Sequence, residues 1–177
     1  TNKENLSFVL EIAKRLNLKK NLLINTIQNF KGLKYRQQII FRKRYLKIIN
    51  DSKSTSFSSS IDLLKTNHKI FWLLGGINKK GDKLDLPKKY FNNIKAFVYG
   101  KNKKFFNKKL KGKIDYKNFD NLKNALKEIL TIIKKEKFVN KKILFSPCAA
   151  SFDTFKNFED RGLYFNKLIR KYLNGIQ

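Results

Sequence analysis

Three short stretches gather hydroxyls, lysines and small residues in a pattern suited to anions. The first is Asp51, Ser52, Lys53, Ser54 and Thr55; the second is Gly75, Gly76, Asn78, Lys79 and Lys80; the third is the run SPCAASFDTFKNFEDRG at residues 146–162. Ammonium groups supply charge and hydroxyls and backbone N–H groups donate, which is the chemistry that holds carboxylates and phosphates. Residues 54–60 admit two readings: capping serines, or a helix opening near residues 55–58 whose free N–H groups and dipole favour an anion. The LLGG at residues 73–76 reads as a tight turn and lacks the G-x-G-x-x-G spacing of a dinucleotide fingerprint. Cys148 has no histidine near it in sequence to activate a thiolate, and with His68 as the only histidine no zinc set of the usual kind can form. Trp72 reads as core, His68 as surface, and Asp153, Glu159 and Asp160 as a loop and helix-start cluster. No metal ligands are expected in this chain.

Each of the three stretches follows an expected strand. Apolar spacing predicts helices over residues 5–16 and 19–30, then a break at Gly32 with a boundary near residues 31–34. Two short strands follow around a polar turn at residues 42–44, the second ending at Asn50. Beyond them the pattern predicts helix 56–64, strands 69–74 and 95–99, helix 103–110, a short strand 114–116, helix 118–135, strand 142–145 and a final helix 159–173. Strand and helix taking turns implies an α/β fold, a Rossmann-like, mostly parallel sheet with flanking helices, preceded by a short helical tail. Such sheets bind ligands beyond the carboxyl ends of their strands, where the three stretches lie.

Composition narrows the classes. The chain has 177 residues, 41% of them hydrophobic, enough for an ordinary buried core. No run approaches the roughly 20 apolar residues of a membrane span, and no signal peptide is recognisable. A single cysteine cannot make an internal disulfide, which fits a reducing cytoplasm. The formal charge of +28 suggests a polyanion partner, yet among 41 basic residues the arginines are only Arg15, Arg36, Arg42, Arg44, Arg161 and Arg170. Readers of bases and phosphates favour arginine. Abundant Lys, Asn, Ile and Phe match the codons of an AT-rich genome, so composition explains the charge first and nucleic-acid binding second.

The segments NFKGLKYR, INDSKST, WLLGGINKKGD and SPCAASFDTFKNFEDRGLYF resemble, in order, the motifs of the C-terminal part of the Mur ligase family. Within that family the last segment resembles the branch that adds D-glutamate in peptidoglycan precursor synthesis. The Asp-Asn-Pro-Arg motif of the ligases that add a third residue is absent. The resemblance covers essentially the whole chain. The helix KENLSFVLEIA is similar to one that closes the family's central ATPase domain. Residues 1–33 are thus identified as the tail of that domain and residues 34–177 as the C-terminal ligase domain. The resemblance implies that the uridine-nucleotide domain, the G-x-x-G-K-[ST] phosphate loop, the modified lysine and the magnesium ligands lie upstream. The chain then reads as a fragment, with which the lack of an initiating Met agrees, and no turnover is expected from it alone.

What the resemblance implies for single residues is specific. Asn5, Arg36, Asp51 and Lys53 match nucleotide-side positions, although Glu4 stands where the family has His, and Lys34 and Tyr35 stand where it has Pro-His. Lys53 and Lys79 match positions facing the reacting phosphate. Thr55, Lys79, Ser151, Phe152 and Phe158 match those that hold D-glutamate. The implied cofactors are ATP and Mg2+, the implied partners UDP-N-acetylmuramoyl-L-alanine and D-glutamate, and the implied state a cytoplasmic monomer. The implied reaction forms an acyl phosphate that the D-glutamate amine attacks, with hinge closure near residues 31–34 assembling the site. A folate polyglutamylating ligase, a basic nucleic-acid-binding module and a non-catalytic remnant of the fold are the rival readings.

Overall fold

In the computed structural model the described residues are 3–43, 45–136 and 140–173. The chain divides into two units, Thr1–Gly32 and Leu33–Gln177. In the first, α1 (Lys3–Arg15) and α2 (Lys20–Asn29) form where apolar residues recur at helical spacing. Val9, Ile12, Ala13, Leu18, Leu22, Leu23 and Thr26 line an apolar cleft within this unit. Phe8, Leu16 and Leu22 are exposed there.

The second unit holds a six-stranded sheet among the described residues, in the order β1-β2-β6-β3-β4-β5. β1 (Gln38–Lys43) pairs antiparallel with β2 (Leu46–Asn50), with a bulge between Ile39 and Phe41. The expected turn between them includes Arg44, which lies outside the described residues. All other pairings are parallel: β2 with β6 (Lys141–Phe145), β6 with β3 (Lys69–Leu74), β3 with β4 (Ile94–Tyr99), and β4 with β5 (Asp115–Phe119). Side chains on each strand alternate between two cores. Ile70, Trp72 and Leu74 point to one, with Phe57, Leu64 and, from α4 (Lys103–Leu110), Phe106 and Leu110. Phe71 and Leu73 point to the other, packed by α5 (Leu122–Lys135) and α6 (Phe158–Leu173). This is the Rossmann-like arrangement with helices on both faces.

The differences from the sequence expectation are local. Residues 56–64 do not form one helix: a 3-10 turn, Ser58–Ser60, leads into the single-turn α3 (Ile61–Leu64). The serine hydroxyls compete for the backbone, since Ser54 and Ser59 both donate to the Ser56 carbonyl, and the Phe57 amide is taken by Asp82 Oδ2 at 2.8 Å. The helix N-terminus expected near residues 55–58 as an anion site is therefore absent. β5 runs on to Phe119 because its pairing with β4 continues that far. α5 accordingly starts at Leu122, capped by Asn121, whose Oδ1 accepts from the Asn124 amide at 2.9 Å. A 3-10 segment, Lys88–Asn93, forms where the sequence pattern predicts no element. Among the described residues no helix is long and apolar enough to cross a membrane.

Candidate functional site

Because β6 lies between β2 and β3, the carboxyl ends of these three strands are neighbours, and their following loops interlock. The Asp51 amide donates to the Phe145 carbonyl at 2.7 Å, the Ser146 amide to Leu73 at 3.2 Å and the Gly75 amide to Pro147 at 3.1 Å. Ile77 and Ala150 exchange backbone hydrogen bonds, each at 2.9 Å. Gly75 and Gly76 permit this close stitching: both have positive φ, and a Cβ would strike the Tyr99 carbonyl in one case and the Ala150 carbonyl in the other.

Asp51, the residue just after β2, lies inside this joint, 5% exposed. Its Oδ1 accepts from the Gln37 amide at 3.0 Å and its Oδ2 from Ser146 Oγ at 2.8 Å. Burial raises its pKa, while the Ser146 hydroxyl, the Gln37 amide and the Arg36 charge pull it back down. From Ser146 a hydroxyl chain continues to Ser60 Oγ at 2.6 Å and on to Ser54 Oγ at 2.8 Å. Cys148 Sγ lies 3.0 Å from Ser60 Oγ. Burial pushes the Cys148 thiol up to about 12, so near neutral pH it is a thiol and no nucleophile.

Asp51 is flanked by residues that tie its loop to α6. Asn50 Nδ2 donates to the Gly162 carbonyl at 2.9 Å and to Asn166 Oδ1 at 2.8 Å, and Asn50 Oδ1 accepts from the Ser52 amide at 3.1 Å. Ser52 Oγ donates to the Phe158 carbonyl at 2.8 Å. Arg161, 1% exposed, donates from Nε to Ser52 Oγ at 3.1 Å and from Nη2 to the carbonyls of Ser52 at 2.7 Å and Ala149 at 2.9 Å.

Of the residues singled out in the sequence, Arg36, Asp51, Lys53 and Phe158 are brought together on this frame, while Thr55, Lys79, Ser151 and Phe152 lie along its loops. Lys53 is half-buried with Nζ 3.9 Å from the centroid of the Phe158 ring, although 105 residues separate the two in the chain. The Lys53 amide donates to the Tyr35 carbonyl at 3.0 Å. Arg36 is therefore held beside the same loop, between Tyr35 and Gln37, which both adopt positive φ (61° and 48°). Two such non-glycine residues around one arginine are a strain that the joint to Asp51 and Lys53 holds in place. Thr55 is exposed at the end of the Asp51 loop, and Ser151 is buried next to Ala150. Lys79 is exposed two residues beyond the Ile77–Ala150 bridge, and its ammonium makes no ion pair among the described residues. Phe152 is 72% exposed, with no core to fill. Asn5 lies exposed on α1 in the other unit.

Such a frame presents cations and hydroxyls around a buried acid at a strand-end switch point, which suits a polyanionic nucleotide or a dicarboxylate. Among the described residues no three His, Cys, Asp or Glu side chains cluster as metal ligands. The bonding roles of Asn50, Ser52, Ser146 and Arg161 are not legible in the sequence. For Arg161 a signal exists all the same: in a chain that uses lysine almost everywhere, a retained arginine suggests that its planar fork is needed.

No protein-family model matches the chain. It is 35% identical over 168 residues to the UDP-N-acetylmuramoylalanine–D-glutamate ligase of Rickettsia bellii, covering 94% of this chain and 37% of that protein. The ligases of the same name from Rickettsia prowazekii and Wolbachia pipientis wMel are 36% and 34% identical over 172 residues each. Those matches cover 97% and 95% of this chain and 38% and 33% of the relatives. The chain thus spans between a third and two fifths of the length of the curated relatives it matches.

Proposed function

We propose that this chain, which belongs to the Mur ligase family as a C-terminal part of the UDP-N-acetylmuramoylalanine–D-glutamate ligase type, is the portion that holds D-glutamate for amide formation with UDP-N-acetylmuramoyl-L-alanine. The observation that carries this reading is the joining of the Asp51 loop to the 146–162 segment, by Ser146 to Asp51 at 2.8 Å and by Lys53 over Phe158. The sequence motifs for nucleotide and for D-glutamate thereby become two halves of one surface.

In this reading ATP supplies the phosphoryl group that activates the UDP-N-acetylmuramoyl-L-alanine carboxylate as an acyl phosphate. The donor set suits a nucleotide, with a buried acceptor, Asp51, for sugar hydroxyls and the cations Arg36 and Lys53 for phosphates. The assignment of Asn5 to the nucleotide rests on the family resemblance alone. Lys79 and Thr55 would hold the D-glutamate carboxylates, with Ser151, Phe152 and Phe158 completing the pocket. Backbone N–H groups in that segment would donate to the side-chain carboxylate. Lys53 and Lys79 would also offset the negative charge that develops when the amine attacks and phosphate leaves. These residues act by orientation and charge, and no step here needs a covalent link to the protein. In this reading the magnesium ligands would lie outside this chain, and the reaction would take place in the cytoplasm.

The test is phosphate release from ATP and UDP-N-acetylmuramoyl-L-alanine in magnesium buffer, using the chain expressed with its upstream coding sequence. D-glutamate, L-glutamate and diaminopimelate are compared as acceptors. Release that depends on D-glutamate, with a KM for it raised at least about tenfold by Lys79→Ala, is the expected result. Release with none of the three, or an unchanged KM in the variant, would sink the reading.

A further inference from the structure

Arg161 touches none of the residues given a substrate role, yet its bonds join two of the loops that carry them. Nη2 bridges the Ser52 carbonyl, next to Lys53, and the Ala149 carbonyl, two residues before Ser151, while Nε fixes the Ser52 hydroxyl. The third loop passes beside the guanidinium without a hydrogen bond to it, since a Cβ built on Gly76, three residues before Lys79, would lie 3.2 Å from Arg161 Nη1. The Tyr99 hydroxyl and the Asp153 carboxylate act on the guanidinium electrostatically, but Nη1 completes no hydrogen bond of acceptable geometry among the described residues. A buried charge with a spare donor is costly, and an apolar side chain could fill the volume. What an apolar side chain cannot do is present donors in two directions from one rigid plane.

We infer that Arg161 is a positioning residue that sets the spacing of the Lys53–Thr55 and Ser151 loops, and through it the affinity for the amino-acid substrate. The substrate effect rests on the D-glutamate reading, whereas the clamp rests on the geometry alone. Lysine at this position keeps the charge but reaches only one carbonyl at a time.

Two measurements separate these parts. In the chain itself, amide hydrogen exchange is compared for wild type, Arg161→Lys and the milder Ser52→Ala. Faster exchange is expected at Lys53, Ser54 and Ala150, with the amides of β4 and β5 unchanged. Exchange that is unaltered, or faster throughout the sheet, overturns the clamp. In the ligase with its upstream sequence, Arg161→Lys should raise the KM for D-glutamate by about tenfold or more, as small misplacements do. The KM for ATP should rise less than that for D-glutamate, because of the residues on the displaced loops only Lys53 also faces the nucleotide, and Ser52→Ala should show a smaller rise of the same kind. A fall in kcat alone, or equal rises in both KM values, overturns the positioning role. A wild-type enzyme indifferent to D-glutamate overturns the ligase reading and the KM effect with it, and the exchange result then decides the clamp.

Discussion

Replacing Ser146 by alanine tests whether the joint at the strand ends is held by charge. Ser146 Oγ is the side-chain donor to Asp51 Oδ2, at 2.8 Å and fully buried, and it also bonds Ser60. A hydrogen bond to a charged group contributes about 1.5–3 kcal/mol, and a buried carboxylate oxygen left bare falls at the upper part of that range. Ser60 keeps Ser54 and Cys148 as partners, so its loss adds little. The expected destabilisation of Ser146→Ala near neutral pH is therefore about 2–3 kcal/mol, a fall in Tm of roughly 5–10 °C for a unit of this size.

The pH dependence carries the sharper test. Burial already holds the folded pKa of Asp51 above the ordinary carboxylate value, and Ser146 is the largest influence lowering it. Without that hydroxyl the folded pKa rises further. A carboxylate with a raised folded pKa costs stability above that pKa, and the cost is relieved as pH falls through it and the native state takes up the proton. The deficit of the variant is thus largest near neutral pH and narrows towards about pH 4.5. Urea unfolding followed by the fluorescence of Trp72, the single tryptophan and fully buried, measures it. In an Asp51→Asn background the same substitution should cost only about 1 kcal/mol. A deficit equal at both pH values, or below about 0.5 kcal/mol near neutrality, would refute the idea that the bond serves a buried charge.

Two further outcomes follow from burial elsewhere in the second unit. The Cys148 thiol, with its pKa pushed up to about 12, should resist an aromatic disulfide reagent in the native chain near pH 8 and react within seconds to minutes once urea unfolds it; rapid native reaction would contradict its burial. Lys142 is pushed down to about 8 by burial and by Lys47, so its charge costs stability in full below that value and the cost is relieved as pH rises towards 10.5. Lys142→Met should therefore compare best with wild type near neutral pH and lose ground as pH passes from 8 to 10; paired melts that keep a constant difference would refute the shift.

Where local pattern and final structure agree, the reason is that a single segment carries the information. The helix expected over residues 103–110 forms as α4 because Phe106 and Leu110, four residues apart, are both buried on one face. The rule that ligands collect beyond strand ends picks out Asp51, Lys53 and Lys79 from the order of strands and helices alone. Where the two disagree, the deciding partner is distant or competes locally. The serines at residues 54–60 bond one another and the backbone instead of extending a helix. The polar strand Asp115–Phe119 is fixed by its neighbour β4 rather than by its own apolar pattern. Ser146 and Arg161 act on residues 95 and 109 positions away, a pairing that no local periodicity encodes.

The place of β6 between β2 and β3 also dictates a timetable. Those two strands are separated by fewer than thirty residues, yet they never pair with each other, because β6, whose last residue is Phe145, fills the gap between them. During synthesis the chain emerges with the central slot of its sheet empty. Two unpaired strand edges, bearing Ile48, Ile49, Phe71 and Trp72, wait from the end of β3 at Leu74 until the ribosome has delivered the chain to Phe145, about seventy residues later. Parallel pairing over such distances is slow, so the same insertion that brings Asp51, Ser146 and Gly75 together makes the nascent unit dependent on whatever shields those edges in the interval.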